Sequence, residues 1–414
     1  MAHEQTRPHR GGPTLASYAQ LAALTALLVV LLPVERAATL LAGAEVALFG
    51  AFAIGSREEH GLSVEACLCY VAAVALQLLP GRAPTWVLVS ASFALCARTY
   101  ASLVRVWRPL LPQLGGQVVV VTGSSAGLGA ETATQLLELG ATVVFACRSE
   151  SRARAAMDAA CEQSGAPSDR AIFVPLDLAS CDSISECASH VRSACGRCDA
   201  LVCNAGLLHP QRTLTADGWE ANLACHVLGH QLLARLLLPL LRQSPAGGRV
   251  VSVASTLHKV ASAADLLADP MSERGYTMFG AYGRSKLAQV ALSAEQQRRE
   301  SARGSGVVCV SLHPGNVITE VTREMPYAVR LAYQAAGPLI RFGAPSLYDG
   351  AATTVYAAAS DDAATLRGAY LERCLVAQPH ADAEDEAVGR QVWELSDQLL
   401  APWLPRDALG GEKS

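Results

Sequence analysis

Charged residues are scarce in the first quarter of this 414-residue chain. Residues 15–107 are mostly apolar, and the mean hydropathy of the whole chain is +0.25, which is high for a soluble enzyme. Basic residues are not in excess either, because the formal net charge is −4 at pH 7. That balance excludes the broad positive field by which proteins bind nucleic acid, so no nucleic-acid partner is expected.

The chain also lacks the cysteine spacing of a disulfide framework or a zinc site. Its 13 cysteines are odd in number and scattered along the sequence. Cys195 and Cys198 form one C-x-x-C, but no second pair stands at zinc spacing and the pair does not open a helix. We therefore expect reduced thiols that serve as small apolar residues, and no metal site, in preference to a redox or metal role for that pair.

The apolar first part divides into four segments, each near the roughly 20 residues needed to cross a bilayer core. A cleaved signal peptide would account only for the first of them. We predict four transmembrane helices over residues 14–108, after a disordered 1–13; three helices are the alternative. With four helices both chain ends lie on the same side of the membrane, and most of the arginines lie on that side as well. Since arginines are in excess on the cytoplasmic side, the remaining domain is expected in the cytosol. The segments are 15–34, 38–55, 62–79 and 86–107.

From residue 117 onward, β-branched runs alternate with helical patterns. This alternation is typical of a doubly wound parallel sheet, so the predicted fold class is α/β, a Rossmann domain over residues 117–402. A linker at 109–116 leads into it, and a tail at 403–414 follows it. The predicted strands are 118–122, 142–146, 171–175, 200–203, 249–253 and 307–312, and the predicted helices are 128–139, 150–163, 182–195, 215–243 and 282–302.

A glycine-rich turn follows the first predicted strand and leads into the first helix. It contains the pattern Thr-Gly-x-x-x-Gly-x-Gly, which begins at Thr122. Such a turn presents backbone N–H groups and a helix N-terminus to the pyrophosphate of a dinucleotide. We assign Gly123 to the tight turn, Gly127 to close approach of the phosphates and Gly129 to packing of helix on strand. A glycine turn without a ligand is the alternative.

Tyr282 and Lys286 are four residues apart, so a helix places their phenol and ammonium on one face. A positive charge beside a phenol favours phenolate, so we expect Lys286 to lower the pKa of Tyr282 toward the working pH. Tyr282 could then exchange a proton with an alcohol or a carbonyl. Ser255 ends a predicted strand, where it can hydrogen-bond a substrate oxygen. The string Asn204-Ala-Gly206 ends the strand before it, where it can line a cofactor.

The order of glycine turn, Asn-Ala-Gly, strand-end serine and Tyr-x-x-x-Lys resembles the short-chain dehydrogenase/reductase family over residues 116–402. Within it the chain is similar to the retinol dehydrogenase-like branch. The further matching strings are Ala146-Cys-Arg148, Leu176-Asp-Leu178, Asp217-Gly-Trp-Glu220, Leu228-Gly-His230, Ser255-Thr-Leu-His258, His313-Pro-Gly-Asn-Val317 and Val392-Trp-Glu-Leu-Ser396.

The resemblance implies a role for each matching residue. Ser255 would stabilise the substrate oxygen, Tyr282 would be the acid/base, and Lys286 would be its electrostatic partner and bind the nicotinamide ribose. Asp177 and Leu178 would flank the adenine. The other residues implied to hold the cofactor are Gly123, Ser125, Gly127, Leu128 and Gly129 at the pyrophosphate, Asn204, Ala205 and Gly206 along its length, and Pro314, Gly315, Val317 and Thr319 at the nicotinamide.

The end of the second predicted strand bears on the choice of cofactor. An NAD site has a carboxylate there, which accepts hydrogen bonds from the ribose hydroxyls. Here the strand ends in Phe145-Ala-Cys-Arg148, with no acid. A guanidinium fits a 2′-phosphate with paired hydrogen bonds, so NADP(H) is predicted in preference to NAD(H), with Arg148 as a ligand. The alternative for Arg148 is a solvated residue that pairs with Glu150.

One position departs from the branch. This chain has His226 four residues before His230. The branch usually has an asparagine at that position, and the asparagine is thought to order a water in the proton relay. A neutral imidazole can also hold a water, so His226 joins the catalytic candidates. Asn222, one helical turn earlier, is a partial substitute, and a slow relay is the alternative. His209 and His258, near the expected substrate entrance, are weaker candidates for contact with substrate.

We predict a membrane-anchored NADP(H)-dependent oxidoreductase that interconverts a lipophilic alcohol and carbonyl of retinoid, sterol or polyprenol type. Residues 318–350 correspond to the variable substrate lid of the family, and their apolar side chains suit such a substrate. The branch implies the endoplasmic reticulum, and a homo-oligomer is left open. One alternative is an NADP(H)-binding membrane scaffold or sensor without useful turnover. Another gives the membrane part a transport activity, on the strength of Glu45 and Arg98.

Overall fold

The computed structural model describes residues 109–315 and 346–404. The predicted transmembrane segments within 14–108 and most of the predicted lid lie outside these residues. Val317 and Thr319 lie outside them as well. Within the described ranges, strands and helices alternate along the chain as the sequence predicts.

In the described part of the chain, eight strands form one sheet in the order β3-β2-β1-β4-β5-β6-β7-β8. Neighbouring strands from β3 through β7 are parallel, and β8 is antiparallel to β7. This confirms the predicted α/β Rossmann sheet and adds a terminal hairpin to it. The strands are β1 Val118–Thr122, β2 Thr142–Cys147, β3 Ala171–Pro175, β4 Ala200–Cys203, β5 Arg249–Val253, β6 Val308–His313, β7 Tyr370–Glu372 and β8 Leu375–Ala377.

Helices cover both faces of the sheet, because its apolar strands are buried on both sides. One core contains side chains of α1, α2 and α7, and the other contains side chains of α3, α4, α5, α6 and α10. The helices are α1 Gly127–Glu138, α2 Glu150–Ser164, α3 Cys181–Cys195, α4 Ala221–Leu241, α5 Ala263–Ala268, α6 Met278–Ala302, α7 Leu347–Ala359, α8 Ala363–Leu366, α9 Ala381–Glu384 and α10 Glu386–Leu400.

Helix α4 differs from the prediction of one long helix over 215–243. It begins only at Ala221, because Gly218 forms a turn at φ +81° and the Glu220 carboxylate then caps the helix by accepting from two backbone N–H groups. Its residues Ala224–Leu228 are π-helical. Among the described residues α4 is the one helix long and apolar enough to cross a membrane, but 89% of its most apolar window is buried in the domain, as expected of a core helix.

Several residues near the predicted domain boundaries contact the packed domain. Residues 347–350, placed in the lid by the sequence, form the first turn of α7. Leu114, placed in the linker, is buried and its N–H donates to the carbonyl of Leu139. Trp403, placed in the tail, packs edge-on against Trp219 with ring centroids 5.8 Å apart. Leu114 and Trp403 therefore both pack within the domain.

Candidate active site

A cleft of about 460 Å³ opens at the carboxyl ends of the parallel strands, where doubly wound sheets bind their ligands. It is lined by the glycine turn after β1, the ends of β2 and β3, the string after β4, and residues of β5, α6 and β6. Of the predicted site residues that the structure describes, His226 alone does not line it. The others lining the cleft are Gly123, Ser125, Gly127, Leu128, Gly129, Arg148, Asp177, Leu178, Asn204, Ala205, Gly206, Ser255, Tyr282, Lys286, Pro314 and Gly315.

The glycine turn leaves room for a ligand at the start of α1. Gly123 and Gly127 have φ of +67° and +58°, which disfavours a side chain at either position. A Cβ at Gly129 would lie 2.4 Å from both the Asn204 side chain and the Gly123 carbonyl, whereas one at Gly127 would meet nothing within 4 Å. Because Ala126 caps α1 without a side-chain hydrogen bond, no side-chain acceptor at that cap competes with an anion for the helix N–H groups. The turn fits a dinucleotide pyrophosphate.

Thr122 connects this turn to the Asn-Ala-Gly string, a role that the sequence analysis missed. Its Oγ1 accepts from the N–H groups of Asn204 at 3.0 Å and Ala205 at 2.9 Å. The Asn204 amide in turn donates to the Thr122 carbonyl at 2.9 Å. The sequence did contain a signal for this role, the threonine that begins the glycine pattern, because a hydroxyl at a strand end can hydrogen-bond a neighbouring loop.

Tyr282, Lys286 and Ser255 meet on one side of the cleft. The Lys286 Nζ donates to the Val253 carbonyl and to the Gln289 Oε1, each at 2.9 Å, and lies 5.6 Å from the centre of the Tyr282 ring. Ser255 follows the end of β5 by two residues, and its Oγ accepts from the N–H of Leu257 at 3.3 Å. A phenol, a hydroxyl and an ammonium thus converge where a carbonyl oxygen could bind.

The electrostatics of this group differ from the expectation. Burial raises the pKa of Tyr282, and a hydrogen bond with Ser255 offsets part of that effect. Burial also lowers the pKa of Lys286 to about 7, so its ammonium is easily lost. The prediction of a lowered pKa for Tyr282 is therefore wrong for this state of the site, because desolvation of the phenolate outweighs the hydrogen bond with Ser255. Tyr282 is protonated at neutral pH.

His226 lies behind the cleft, between the Asn-Ala-Gly string and α6. Its Nε2 accepts from the N–H of Leu207 at 3.0 Å, so its Nδ1 carries the proton and donates to Ser285 Oγ at 2.8 Å. The ring packs edge-on against Tyr282 with centroids 5.3 Å apart. Burial, followed by the nearby Lys286, lowers the pKa of His226 well below its usual value. The imidazole is neutral, and neither ring nitrogen is left to hold a water.

Two arginines line the adenosine end of the cleft. Arg148 follows β2, and Arg152, which the sequence analysis did not single out, lies one turn into α2. Glu150 pairs with Arg154 at 2.7 Å, and not with Arg148 as the alternative interpretation supposed. Two guanidinium groups therefore face the cleft at the position where an NAD site would carry an acid.

Comparisons with known proteins agree with this geometry. Residues 117–328 match the family described as short chain dehydrogenase. A polyprenol dehydrogenase of Mus musculus is 39% identical over 288 residues, which cover 69% of this chain and 84% of that protein. The chain is a short-chain dehydrogenase/reductase.

Further relatives place this dehydrogenase/reductase in the retinol dehydrogenase-like branch. Retinol dehydrogenase 14 of Mus musculus is 34% identical, over 69% of this chain and 86% of that protein. The WW domain-containing oxidoreductase of Danio rerio is 36% identical, over 69% of each chain. The crystal structure of an uncharacterized protein from Mycobacterium paratuberculosis superposes with a TM-score of 0.57 at 30% identity, covering 70% of this chain and 96% of that one.

Asn222 does not substitute for the missing asparagine of this dehydrogenase/reductase. Its amide nitrogen donates to the Glu220 carboxylate at 2.7 Å and to the Tyr276 hydroxyl at 3.3 Å. Tyr276 in turn donates to the His209 carbonyl at 2.8 Å. Asn222 therefore belongs to the start of α4 and to the loops beside the cleft, and not to the lysine and tyrosine.

His258 is a structural residue of the loop after Ser255. It is fully buried, its Nδ1 donates to the Ser255 carbonyl at 2.6 Å, and its Nε2 accepts from the N–H of His380 at 3.1 Å. Burial lowers the pKa of His258, so the ring is neutral. Both nitrogens are used within the protein, which leaves none for a substrate.

The C-x-x-C pair behaves as a structural element. Cys195 is the last residue of α3, and Cys198 is fully buried beside β4. Burial raises the pKa of the Cys198 thiol far above its usual value, which suppresses the reactive thiolate. Both cysteines are free. Among the described residues, no group of three His, Cys, Asp or Glu side chains is arranged to hold a metal.

Proposed function

We propose that this short-chain dehydrogenase/reductase is an NADP(H)-dependent oxidoreductase that interconverts a lipophilic alcohol and carbonyl, of retinoid, sterol or polyprenol type. The observation that carries the proposal is the convergence of Ser255, Tyr282 and Lys286 on the cleft that also contains the glycine turn. NADP(H), when bound, supplies the hydride to the carbonyl carbon or accepts it from the alcohol. The pyrophosphate would lie on the glycine turn, and the 2′-phosphate beside Arg148.

Each residue of the group then has a task that its environment supports. In carbonyl reduction Tyr282 donates its phenolic proton to the substrate oxygen, and Ser255 hydrogen-bonds the same oxygen. Lys286 stabilises the phenolate that remains. Because burial raises the pKa of Tyr282, the phenol holds its proton at neutral pH and is ready to donate it in carbonyl reduction.

The lipophilic substrate class is supported by three observations. Relatives that share about a third or more of their residues are named for polyprenol and retinol. The apolar residues 15–107 fit an anchor that would hold the enzyme at a bilayer containing such substrates. The lid sequence also carries apolar residues: Leu331, Tyr333, Leu339 and Ile340. We propose a multi-pass anchor of four helices in the endoplasmic reticulum, with the catalytic domain in the cytosol.

The direct test is NADPH consumption by the full-length protein in detergent. Retinal, a sterol ketone and a polyprenal would be offered separately, beside the variant Tyr282→Phe. Turnover with one of these substrates that disappears in the variant supports the proposal. Turnover that survives in the variant would contradict the assignment of Tyr282.

The cofactor preference is tested with Arg148→Ala. Loss of charge-assisted hydrogen bonds to a 2′-phosphate should raise KM for NADPH about 10- to 100-fold and leave KM for NADH unchanged. Arg154→Ala is the matched control, because Arg154 pairs with Glu150 and does not line the cleft. Equal changes for the two cofactors would contradict the role of Arg148.

His226 supports a second candidate, a membrane protein that binds NADP(H) without useful turnover. Both ring nitrogens are engaged by Leu207 and Ser285, so the imidazole does not replace an asparagine that orders a relay water. A shift of the melting temperature by NADPH, without turnover on the panel of carbonyl substrates, would favour this function. The presence of Ser255, Tyr282 and Lys286 together in the cleft favours the enzyme.

A further inference from the structure

A second, much smaller cavity lies behind the cleft, between α4 and α6. Its volume is about 20 Å³. The residues that line it are Cys203, His226, Val227, His230, Gln231, Ala234, Val250, Ser252, Gln289, Leu292, Ser293 and Gln296. For an interior cavity this wall is rich in amides, hydroxyls and imidazoles.

Four polar atoms of this wall have no hydrogen-bond partner among the described residues. They belong to side chains that are each at least nine-tenths buried: Gln231 Nε2, Gln289 Nε2, Ser293 Oγ and Gln296 Nε2. A buried polar group without a partner costs about 1–3 kcal/mol, so four of them around one cavity call for a ligand. A water needs roughly 10–15 Å³ and two to four polar partners, and this cavity offers both.

Gln289 joins this cavity to the catalytic lysine. Its Oε1 accepts from the Lys286 Nζ at 2.9 Å. An ammonium has only donors, so Lys286 fixes which end of the Gln289 amide faces it and leaves the Nε2 end for another acceptor. Gln289 thus stands between the lysine and the polar cavity.

We propose that Gln289 is a positioning residue for the Lys286 ammonium, and that one water in the cavity between α4 and α6 holds the Gln289 amide in place. The inference rests on the proposed function and assigns how its lysine is supported. His226 lines the same cavity but has no ring nitrogen free for a water, so in this chain the Gln289 amide and the water beside it support the lysine.

The groups that face Lys286 make Gln289 important for its charge. They are Cys203 from β4, His226 and His230 from α4, and Tyr282 from its own helix. None of these four is a carboxylate. Among the described residues, the protonated lysine is therefore held by two dipoles, the Val253 carbonyl and the Gln289 amide, and removal of the amide leaves only the carbonyl of these two.

The test is the pH dependence of NADPH-linked carbonyl reduction, which requires the protonated tyrosine–lysine pair. Gln289→Leu removes an acceptor from the ammonium, so the alkaline limb of kcat should move down by about one pH unit. Gln289→Glu adds a carboxylate beside the ammonium, so the same limb should move up by about one pH unit. Shifts of opposite sign are the expected result, because a purely structural role would move neither limb.

Gln297→Leu is the matched control. Gln297 lies on the same helix and is equally buried, but it binds Ser301, Val307 and Cys309 and does not contact Lys286. It should lower the melting temperature without moving the alkaline limb. Ser293→Val tests the water, because its methyl groups would fill the cavity; we expect a downward shift smaller than that of Gln289→Leu.

The outcomes separate this inference from the function on which it rests. Wild-type protein that binds NADPH but reduces no carbonyl would overturn the proposed function itself. If the wild type is active and the alkaline limb of kcat moves in neither Gln289→Leu nor Gln289→Glu, only the positioning role would be overturned. If the alkaline limb of kcat moves in the two Gln289 variants but not in Ser293→Val, the part of the proposal that concerns the water would be overturned.

Discussion

The two faces of the sheet each carry an apolar core but differ in chemistry. The face covered by α1, α2 and α7, the α1 face, buries mainly valine, alanine and leucine, with a few threonine hydroxyls, Gln135 and the Arg249 guanidinium. The face covered by α3, α4, α6 and α10, the α4 face, buries more apolar residues, yet it also encloses histidines, several glutamines and paired charges. The same strands support both faces, so the strands do not account for the difference.

The difference also appears in the polar atoms without partners. Of the buried side-chain atoms that lack a partner in the described part of the chain, α1 contributes Thr132 Oγ1. The helices of the α4 face contribute eight: Asn222 Oδ1, Gln231 Nε2, Arg284 Nε, Gln289 Nε2, Ser293 Oγ, Gln296 Nε2, Arg298 Nη2 and Trp393 Nε1. Natural proteins keep such atoms rare, and each needs an explanation. Here they lie on the helices that position Tyr282 and Lys286, so we interpret the polar interior as a consequence of catalysis.

The largest expected effect comes from the same substitution made on each face. Tyr282→Phe on α6 should lower kcat for carbonyl reduction about a thousandfold, because the proton donor is lost. Tyr356→Phe on α7 removes a buried phenol from the α1 face and should change kcat less than about twofold. Steady-state kinetics of both variants check this. Comparable losses would show that the two faces do not differ as we infer.

Packing provides the second comparison, in which the faces should agree. Leu237 on α4 and Leu136 on α1 are both fully buried. Truncation of either to alanine should lower the free energy of unfolding by about 2–5 kcal/mol, through lost burial and the cavity left behind. Denaturant titration of both variants measures this. A loss on one face only would mean that the cores differ in packing as well as in chemistry.

Much of this architecture could be predicted from the sequence, because its signals are local. β-Branched runs identified the central strands, and the spacing of Tyr282 and Lys286 placed them on one helix face. The hairpin of β7 and β8 was missed, because its strands have three residues each and its turn uses Arg373 and Cys374 at φ of +54° and +62° without a glycine. Such strands carry no periodic signal.

The electrostatics of the site could not be predicted, because they depend on burial that only the assembled fold determines. Residue spacing gave the Tyr282–Lys286 pair but not the desolvation that raises the pKa of Tyr282. In the same way, the spacing placed His226 near the lysine but not its two hydrogen bonds to Leu207 and Ser285. These bonds join segments that are distant in sequence, and a single sequence contains no record of them.

The smallest expected effect is on stability in acid, where the buried histidines of the α4 face should lower the free energy of unfolding. Burial lowers the pKa of His230 to about 3, whereas an unfolded histidine titrates near 6.5. Acid therefore protonates the unfolded chain first, and the stability present above pH 6.5 falls by up to about 1.4 kcal/mol per pH unit for each such histidine as the pH drops toward 3. His230→Gln should remove the contribution of one histidine from this slope, so the free energy of unfolding should fall less steeply as the pH drops. His190→Gln, at an exposed position of α3, should leave it unchanged, and denaturant titrations from pH 7.5 to 4.5 compare the two. Equal slopes in both variants would show that the buried imidazoles of α4 do not govern stability in acid.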